Sequence, residues 1–393
     1  MLAQPQLPGN VRGAQRPLST GQASRQRLGD RNLEGHRFVT TVAPESFVIP
    51  SNAPVLVTGA TGFIGPAVVA SLLRLGHHNI RALARPSSDL ARFDSIVRSH
   101  PHGAEVEVVR GNLLSRDDCV AATRDVAVIY HLAMKGDKSF PDAYMNTVVT
   151  TRNLLDASLK HGALRRFVNV SSFAVYSNTG KARWRLLDES SPVERQSQRR
   201  GEAYCFAKQK QDEIVAEYGK NHGISYVIVR PGSVFGPGKH AITGRVGIDS
   251  FGIYLHLGGS NRIPFTYVDN CADAIALAGL KVGVDGEVFN VVDDDLPTSS
   301  QFLRLYKRNV RHFRSIYVPH AISYALCYLW EKYSSWSHGQ LPPAFNRSRW
   351  HAEWKKTRYS NHNLKVKLGW TPRVRMSEAL DRYFQGCRNG QHA

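Results

Sequence analysis

Acid is what this chain has little of. It carries 32 Asp and Glu against 51 Lys and Arg, a formal charge of +19 over 393 residues. The deficit is uneven: residues 301–375 hold 15 Lys/Arg and only two Asp/Glu, which places +13 of the excess in that quarter. A lobe so basic attracts anions such as phosphorylated substrates or acidic lipid surfaces. Cysteine is also sparse. Its five copies stand at 119, 205, 271, 327 and 387, with no CxxC and no cluster of Cys with His. An odd, unpatterned set argues against a disulfide framework and structural zinc, and for small buried thiols in a reducing, cytoplasmic setting. No apolar run approaches the ~18 residues of a membrane-spanning helix. The N-terminus lacks the compact apolar stretch of a secretory signal.

What is present suits a globular chain. Hydrophobic residues make up 42%, enough for a real core. Residues 1–50 are rich in Gln, Arg, Gly, Ser and Pro without apolar period, and read as a disordered tail. Beyond them, short apolar runs alternate with helical patterns: "PVLVTG", "NIRALAR", "EVEVVRGNL", "VAVIYHLA", "RRFVNVSS" and "ISYVIVRPG" as strands, with "TTRNLLDASLKHG" as one of the helices. Such alternation implies an α/β fold, a Rossmann-type doubly wound parallel sheet. After about 235 it loosens. The expected organisation is a nucleotide-binding domain over 53–235 and a smaller C-terminal substrate lobe over 236–388, with the chain crossing between them.

The first strand runs into "TGATGFIG". Gly59, Gly62 and Gly65 recur every third residue between a strand and a helix expected from about Gly62 to Leu75. That spacing gives a tight turn, close approach of a pyrophosphate and close packing of helix on strand, and Thr61, Phe63 and Ile64 share the turn. The phosphates would meet free N–H groups at the helix start. At the end of the second strand an NAD site offers an acid to the ribose, and an NADP site an Arg to the 2′-phosphate. Here the chain reads "RALARPSS", with Arg85 and no acid. NADP is therefore favoured, with NAD as the alternative.

Tyr204 and Lys208 stand four residues apart in "GEAYCFAKQK". That spacing puts both on one helical face. A cation there, together with an oxidised nicotinamide, favours tyrosinate and lets Tyr exchange a proton with a substrate oxygen.

In order along the chain, "TGATGFIG", "GNL", "HLA", "VSSFAVY", "YCFAK", "RPGSVFGPG" and "PFTYVDNCADAI" resemble the extended short-chain dehydrogenase/reductases of the NAD-dependent epimerase/dehydratase type, over about 53–385. The resemblance implies an NAD(P)-dependent enzyme that interconverts a secondary alcohol and a ketone. It implies Ser172, Tyr204 and Lys208 as the catalytic set, Ser172 polarising the substrate oxygen and Lys208 also holding the ribose. It places Asn112 and Leu113 beside the adenine, Ala133 along the cofactor and Pro231 near the carboxamide. The family more often has Asp where Asn112 stands. Asn146 falls about one residue out of frame with the helix Asn that braces many such sites, and His131 reads as a packing residue.

Two substrate readings stay open. Arg262, before "IPFTYVDN", matches a position that grips the pyrophosphate of a nucleotide sugar, although the usual Arg-x-Gly-Asp-like element is missing. The stretch "SIYVPHAISYALCYLWEKYSSW" resembles instead the C-terminal part of 3β-hydroxysteroid dehydrogenases, which implies a bulky, sterol-like substrate. Flanked by Arg314 and Lys332, it reads either as a buried helix or as a segment lying in a membrane interface. The basic stretch 181–200 is expected to border the substrate cleft. Family members are often dimers through the helix of the Tyr and Lys. A regulator without chemistry is disfavoured by the intact Ser172, Tyr204 and Lys208. Nucleic acid is not an expected partner, since no recognition helix, RNP-like motif or zinc finger accompanies the charge.

Overall fold

The computed structural model describes residues 47–134, 139–179, 185–250, 252–337 and 345–390. The expected tail lies, up to residue 46, outside these, as do residues 181–184 of the basic stretch. Residues 47–50, assigned to the tail from composition, are packed. Phe47 bridges to Lys281, the Val48 N–H donates to Leu280 O at 2.8 Å, and Ile49 is buried. Apolar side chains and an open backbone edge capture them despite the polar context upstream.

Seven strands form one parallel sheet. Their spatial order is Val288–Val291, Tyr226–Pro231, Arg166–Val170, Val128–His131, Val55–Thr58, Ile80–Ala84 and Glu107–Arg110. The six strands read from sequence are all there. The seventh comes from beyond residue 236. Val55 and Val57 belong to one apolar core and Leu56 to the other, as the alternation of a strand demands when both sheet faces are covered. The helices Gly65–Arg74 and Val268–Leu280 pack together on the first face. Thr150–His161 and Ala203–His222 cover the second. Chain direction reverses its lateral course between Val55–Thr58 and Val128–His131. That is the switch point where ligands bind beyond the carboxyl ends of the strands.

Outside this sheet the chain forms shorter pieces. Gly247–Ser250, Ile253–His256 and Ser315–Tyr317 form a three-stranded sheet, and Ser233–Phe235 pairs with Phe265–Tyr267. The helix His320–Trp336 follows. It is not the ordinary buried helix of one sequence reading. Ile322, Leu326, Tyr328, Leu329, Tyr333 and Trp336 are all exposed along it, with Ile316 and Tyr317 just before. Among the described residues no helix is long and apolar enough to cross a membrane. All five cysteines are buried and free.

One buried cation ties the sheet to its covering helix. The Arg166 side chain is 1% exposed. Its guanidinium donates to Asp285 and to the carbonyls of Ala278 and Lys281, at the C-terminal end of Val268–Leu280 where carbonyls lack partners. Arg166→Ala should lower stability by about 3–5 kcal/mol, since it leaves these groups unpaired and opens a cavity. Urea denaturation followed by circular dichroism measures it, and a loss below about 1 kcal/mol would remove Arg166 from this role.

Candidate active site

A cleft of about 1120 Å³ opens beyond the carboxyl ends of the strands. Its lining includes Gly59, Thr61, Gly62, Phe63, Ile64, Gly65, Arg85, Asn112, Leu113, Ala133, Ser172, Tyr204, Lys208 and Pro231. The sequence-selected residues thus converge, with one departure. Arg262 does not line the cleft, and its guanidinium donates to Leu296 O at 3.1 Å. Of the cations at the substrate end, Lys239 and Arg245 line it instead.

The glycine turn is built for backbone proximity. Gly59 has φ +67°, and a Cβ on it would come within 2.8 Å of the Ala133 nitrogen. A Cβ on Gly65 would lie 2.3 Å from Gly59 O, so the helix closes tightly on the turn. The helix starts at Gly65 rather than at Gly62, because Gly62 N–H bonds Gly59 O at 3.0 Å and completes the turn first. No side chain caps this helix start. Its free N–H groups and positive end therefore face the cleft, which suits a pyrophosphate. Arg92 pins the turn through Gly62 O and Phe63 O at 3.2 and 3.0 Å and lies over the Phe63 ring. It had no signal in the motif.

At the end of the cleft expected to take the adenine, Arg85 is exposed and Ser88 lines the cleft beside it. The Arg110 guanidinium donates to the carbonyls of Arg85, Pro86 and Ser88, and so shapes this loop. Neither the strand end nor residues 85–88 offer a carboxylate. Asn112 accepts from Leu114 N–H through Oδ1, and its own N–H is held by Asp118 at 2.7 Å.

At the end expected to take the nicotinamide, Ser172 and Tyr204 are hydrogen-bonded and half-buried. Burial pushes the Tyr204 phenol up, the Ser172 bond pulls it down, and Asp212 adds a smaller upward push. Lys208 is 2% exposed and donates to Val170 O at 2.7 Å and to Gln211 Oε1 at 2.9 Å. Burial lowers its pKa to about 8 against the opposing pull of Asp212. Asn146 also lines the cleft, from a π-helical stretch, Tyr144–Val149, whose wider turn accounts for the one-residue offset of its frame.

Beneath Lys208 lies a polar chain that motif reading missed. Gln211 Nε2 donates to Thr151 Oγ1 at 2.9 Å. Thr151 gives its one proton to Thr147 O, so it can only accept from His131 Nε2 at 2.8 Å. His131 Nδ1 then accepts from Thr58 at 2.8 Å, and Thr58 Oγ1 receives the Ala133 N–H. His131 is therefore a neutral imidazole with its tautomer fixed, its pKa held down to about 3 by burial and then by Lys208. A second network centres on Asp212, which accepts from Asn169, Ser171 and Arg230. Gln211 and Asp212 lie three and four residues after Lys208, so helical spacing was the available signal.

Fold and cleft define an extended short-chain dehydrogenase/reductase. The chain belongs to the NAD dependent epimerase/dehydratase family, whose description it matches over residues 55–291. It is similar to the trifunctional UDP-glucose 4,6-dehydratase/UDP-4-keto-6-deoxy-D-glucose 3,5-epimerase/UDP-4-keto-L-rhamnose-reductase of Arabidopsis thaliana, 26% identical over 60% of this chain but only 36% of that relative's length. It is also similar to 3beta-hydroxysteroid-dehydrogenase/decarboxylase isoform 1 of Arabidopsis thaliana, 24% identical over 83% of this chain and 78% of the relative. Among solved structures, UDP-glucuronic acid 4-epimerase from Bacillus cereus, in complex with UDP-glucuronic acid and NAD, has a TM-score of 0.63 at 19% identity, covering 86% of this chain and 99% of the other. That likeness is one of fold.

The Lys208 geometry gives a pH dependence. An ammonium has three N–H donors, and two are taken by Val170 O and Gln211, which leaves one for a ribose in the cleft. The neutral amine has only two N–H donors, so it loses the charge-assisted bond and could meet a ribose hydroxyl only weakly, through its lone pair. With its pKa lowered to about 8, dinucleotide affinity should fall as pH rises through about 8, and Lys208→Arg should abolish that inflection. Fluorescence titration of the reduced dinucleotide from pH 6 to 10 measures this, and a flat wild-type profile would contradict it.

Proposed function

We propose that the protein interconverts a secondary alcohol and a ketone with NADP(H), NAD(H) serving as the alternative. The observation that carries the reading is the meeting of Ser172, Tyr204 and Lys208 in one cleft with the uncapped glycine turn. A bound nicotinamide supplies or accepts hydride. Ser172 donates a hydrogen bond to the substrate oxygen, and Tyr204 exchanges the proton with it. Tyr204 on its own is pushed the wrong way for a base, so its ionisation depends on a cation beside it. Lys208, four residues on along the same helix, in the same cleft and charged below about pH 8, would supply one once substrate and cofactor are bound, and an oxidised nicotinamide the other. The preference for NADP rests on Arg85 with Ser88 and on the missing acid.

Two substrate classes have specific support. Lys239 and Arg245 in the lining favour the diphosphate of a nucleotide sugar. Phe173, Phe265, Phe302 and Tyr383 line the same region and favour a bulky apolar alcohol or ketone. Tyr204→Phe tests the common chemistry. Against a panel of UDP-hexoses, keto-steroids and aryl ketones, turnover should fall by at least about a hundredfold while dinucleotide affinity is kept. Equal loss of dinucleotide binding would make Tyr204 a structural residue instead.

We also propose that the exposed face of His320–Trp336 rests on an anionic bilayer surface. Leu329 is 60% and Trp336 75% exposed. Lys332 and Arg347 lie 5.7 and 4.9 Å from the Tyr328 ring, so cations border the apolar row. The wild type should co-sediment with vesicles of phosphatidylcholine and phosphatidylglycerol more than with phosphatidylcholine alone. Leu329→Glu with Trp336→Glu should release it without changing turnover in solution. Wild type left in the supernatant of both vesicle types would overturn the assignment.

A further inference from the structure

A second cluster of reactive side chains lies at the other end of the sheet. His78 sits in the turn between Gly65–Arg74 and Ile80–Ala84, and His102 and Glu105 in the connection before Glu107–Arg110. Both connections lie at the amino ends of their strands. The cofactor cleft lies at the carboxyl ends, one strand length of about 16 Å away. The cluster therefore takes no part in the chemistry above.

One donor atom from each of His78, His102 and Glu105 lies within 4.8 Å of the others. His102 Nδ1 and Glu105 Oε1 are 3.0 Å apart. Zinc bonds of about 2.0–2.2 Å in a tetrahedron put ligand atoms about 3.4 Å apart, so this pair already has nearly the needed spacing. A hydrogen bond between them accounts for that pair but leaves His78 unexplained. Its ring centroid is 4.6 Å from that of His102, and its Nδ1 is buried with no hydrogen-bond partner among the described residues. A buried polar nitrogen without a partner calls for one, such as a proton donor or a metal ion.

The backbone holds the two connections in place. His77 N–H donates to Leu72 O at 3.0 Å and Ile80 N–H to His78 O at 2.9 Å. Across from them the Arg98 guanidinium donates to Gly103 O and Ala104 O at 2.8 and 3.1 Å. The remaining distance is short enough for side-chain rotation to close, and His102 and Glu105 are both exposed, tied by the bond between them.

We propose that His78, His102 and Glu105 form a binding site for a divalent transition-metal ion of the zinc type. Two imidazoles and a carboxylate suit such borderline ions and not magnesium, and a water completes the tetrahedron. The ion staples the two connections that precede Ile80–Ala84 and Glu107–Arg110. It binds the folded chain in preference to the unfolded one, and so raises its stability.

The test uses the full chain without a histidine tag, stripped with EDTA and exchanged into chelator-free buffer. Zinc chloride should bind at one equivalent in calorimetry and raise the Tm by several degrees, while magnesium chloride does neither. Cobalt(II) should give the visible absorption of a tetrahedral site. His102→Ala and Glu105→Gln should each weaken zinc binding at least about tenfold and abolish the Tm response. Their metal-free Tm and their turnover should match the wild type. No zinc-induced rise in the wild-type Tm, or the same rise in both variants, would overturn the proposal.

Discussion

The buried carboxylate of Asp212 is the interaction on which the cleft depends. It is 6% exposed and takes protons from Asn169 on one strand, from Ser171 just beyond that strand and from Arg230 on the next. Each partner is chain neighbour to a residue of the cleft: Asn169 to Val170, Ser171 to Ser172, Arg230 to Pro231. Asp212 itself stands one helical turn after Lys208 and two after Tyr204. One carboxylate thus sets the register of the helix against two strand ends. Arg230 lies 4.8 Å from the Tyr176 ring, and Tyr176 donates to Asn290, which extends the clamp to the seventh strand. A buried ion pair adds little to stability, because desolvation offsets the attraction. Its value here is positional: few other arrangements satisfy the same donors.

The same logic runs under Lys208. Its charge is kept in a buried place by Val170 O and Gln211, and Gln211 is oriented by Thr151, His131 and Thr58. That chain ends at the Ala133 N–H, beside Gly59. The glycine turn and the lysine are therefore parts of one hydrogen-bonded unit. The burial that fixes Lys208 also lowers its pKa to about 8, so position is gained at the edge of losing charge.

Much of the fold was legible because a parallel sheet buried on both faces writes itself as short apolar runs. The glycine spacing and the Tyr204–Lys208 pair were legible because local geometry fixes them within a few residues. What was not legible is long-range. Asp212 meets Asn169 and Arg230 across separations of 43 and 18 residues. Arg262 matches a motif position yet turns to Leu296 O, on the segment whose Thr298 its own backbone bridges, a pairing that local sequence does not announce. The helix His320–Trp336 looked apolar enough to be buried, and composition alone could not reveal that among the described residues its outer face stays exposed. Residues 47–50 were hidden by their polar neighbours, although Phe47 and Ile49 were themselves a hint.

The cleft is proposed here as a dinucleotide site in which Arg85 reads a 2′-phosphate and Lys208 serves the hydride-transfer end. Titration of nucleotide-free protein with NADPH and with NADH, followed by nicotinamide fluorescence, tests it most directly. One NADPH per chain should bind, more tightly than NADH, with that preference lost in Arg85→Ala. A folded protein that binds neither dinucleotide would contradict it.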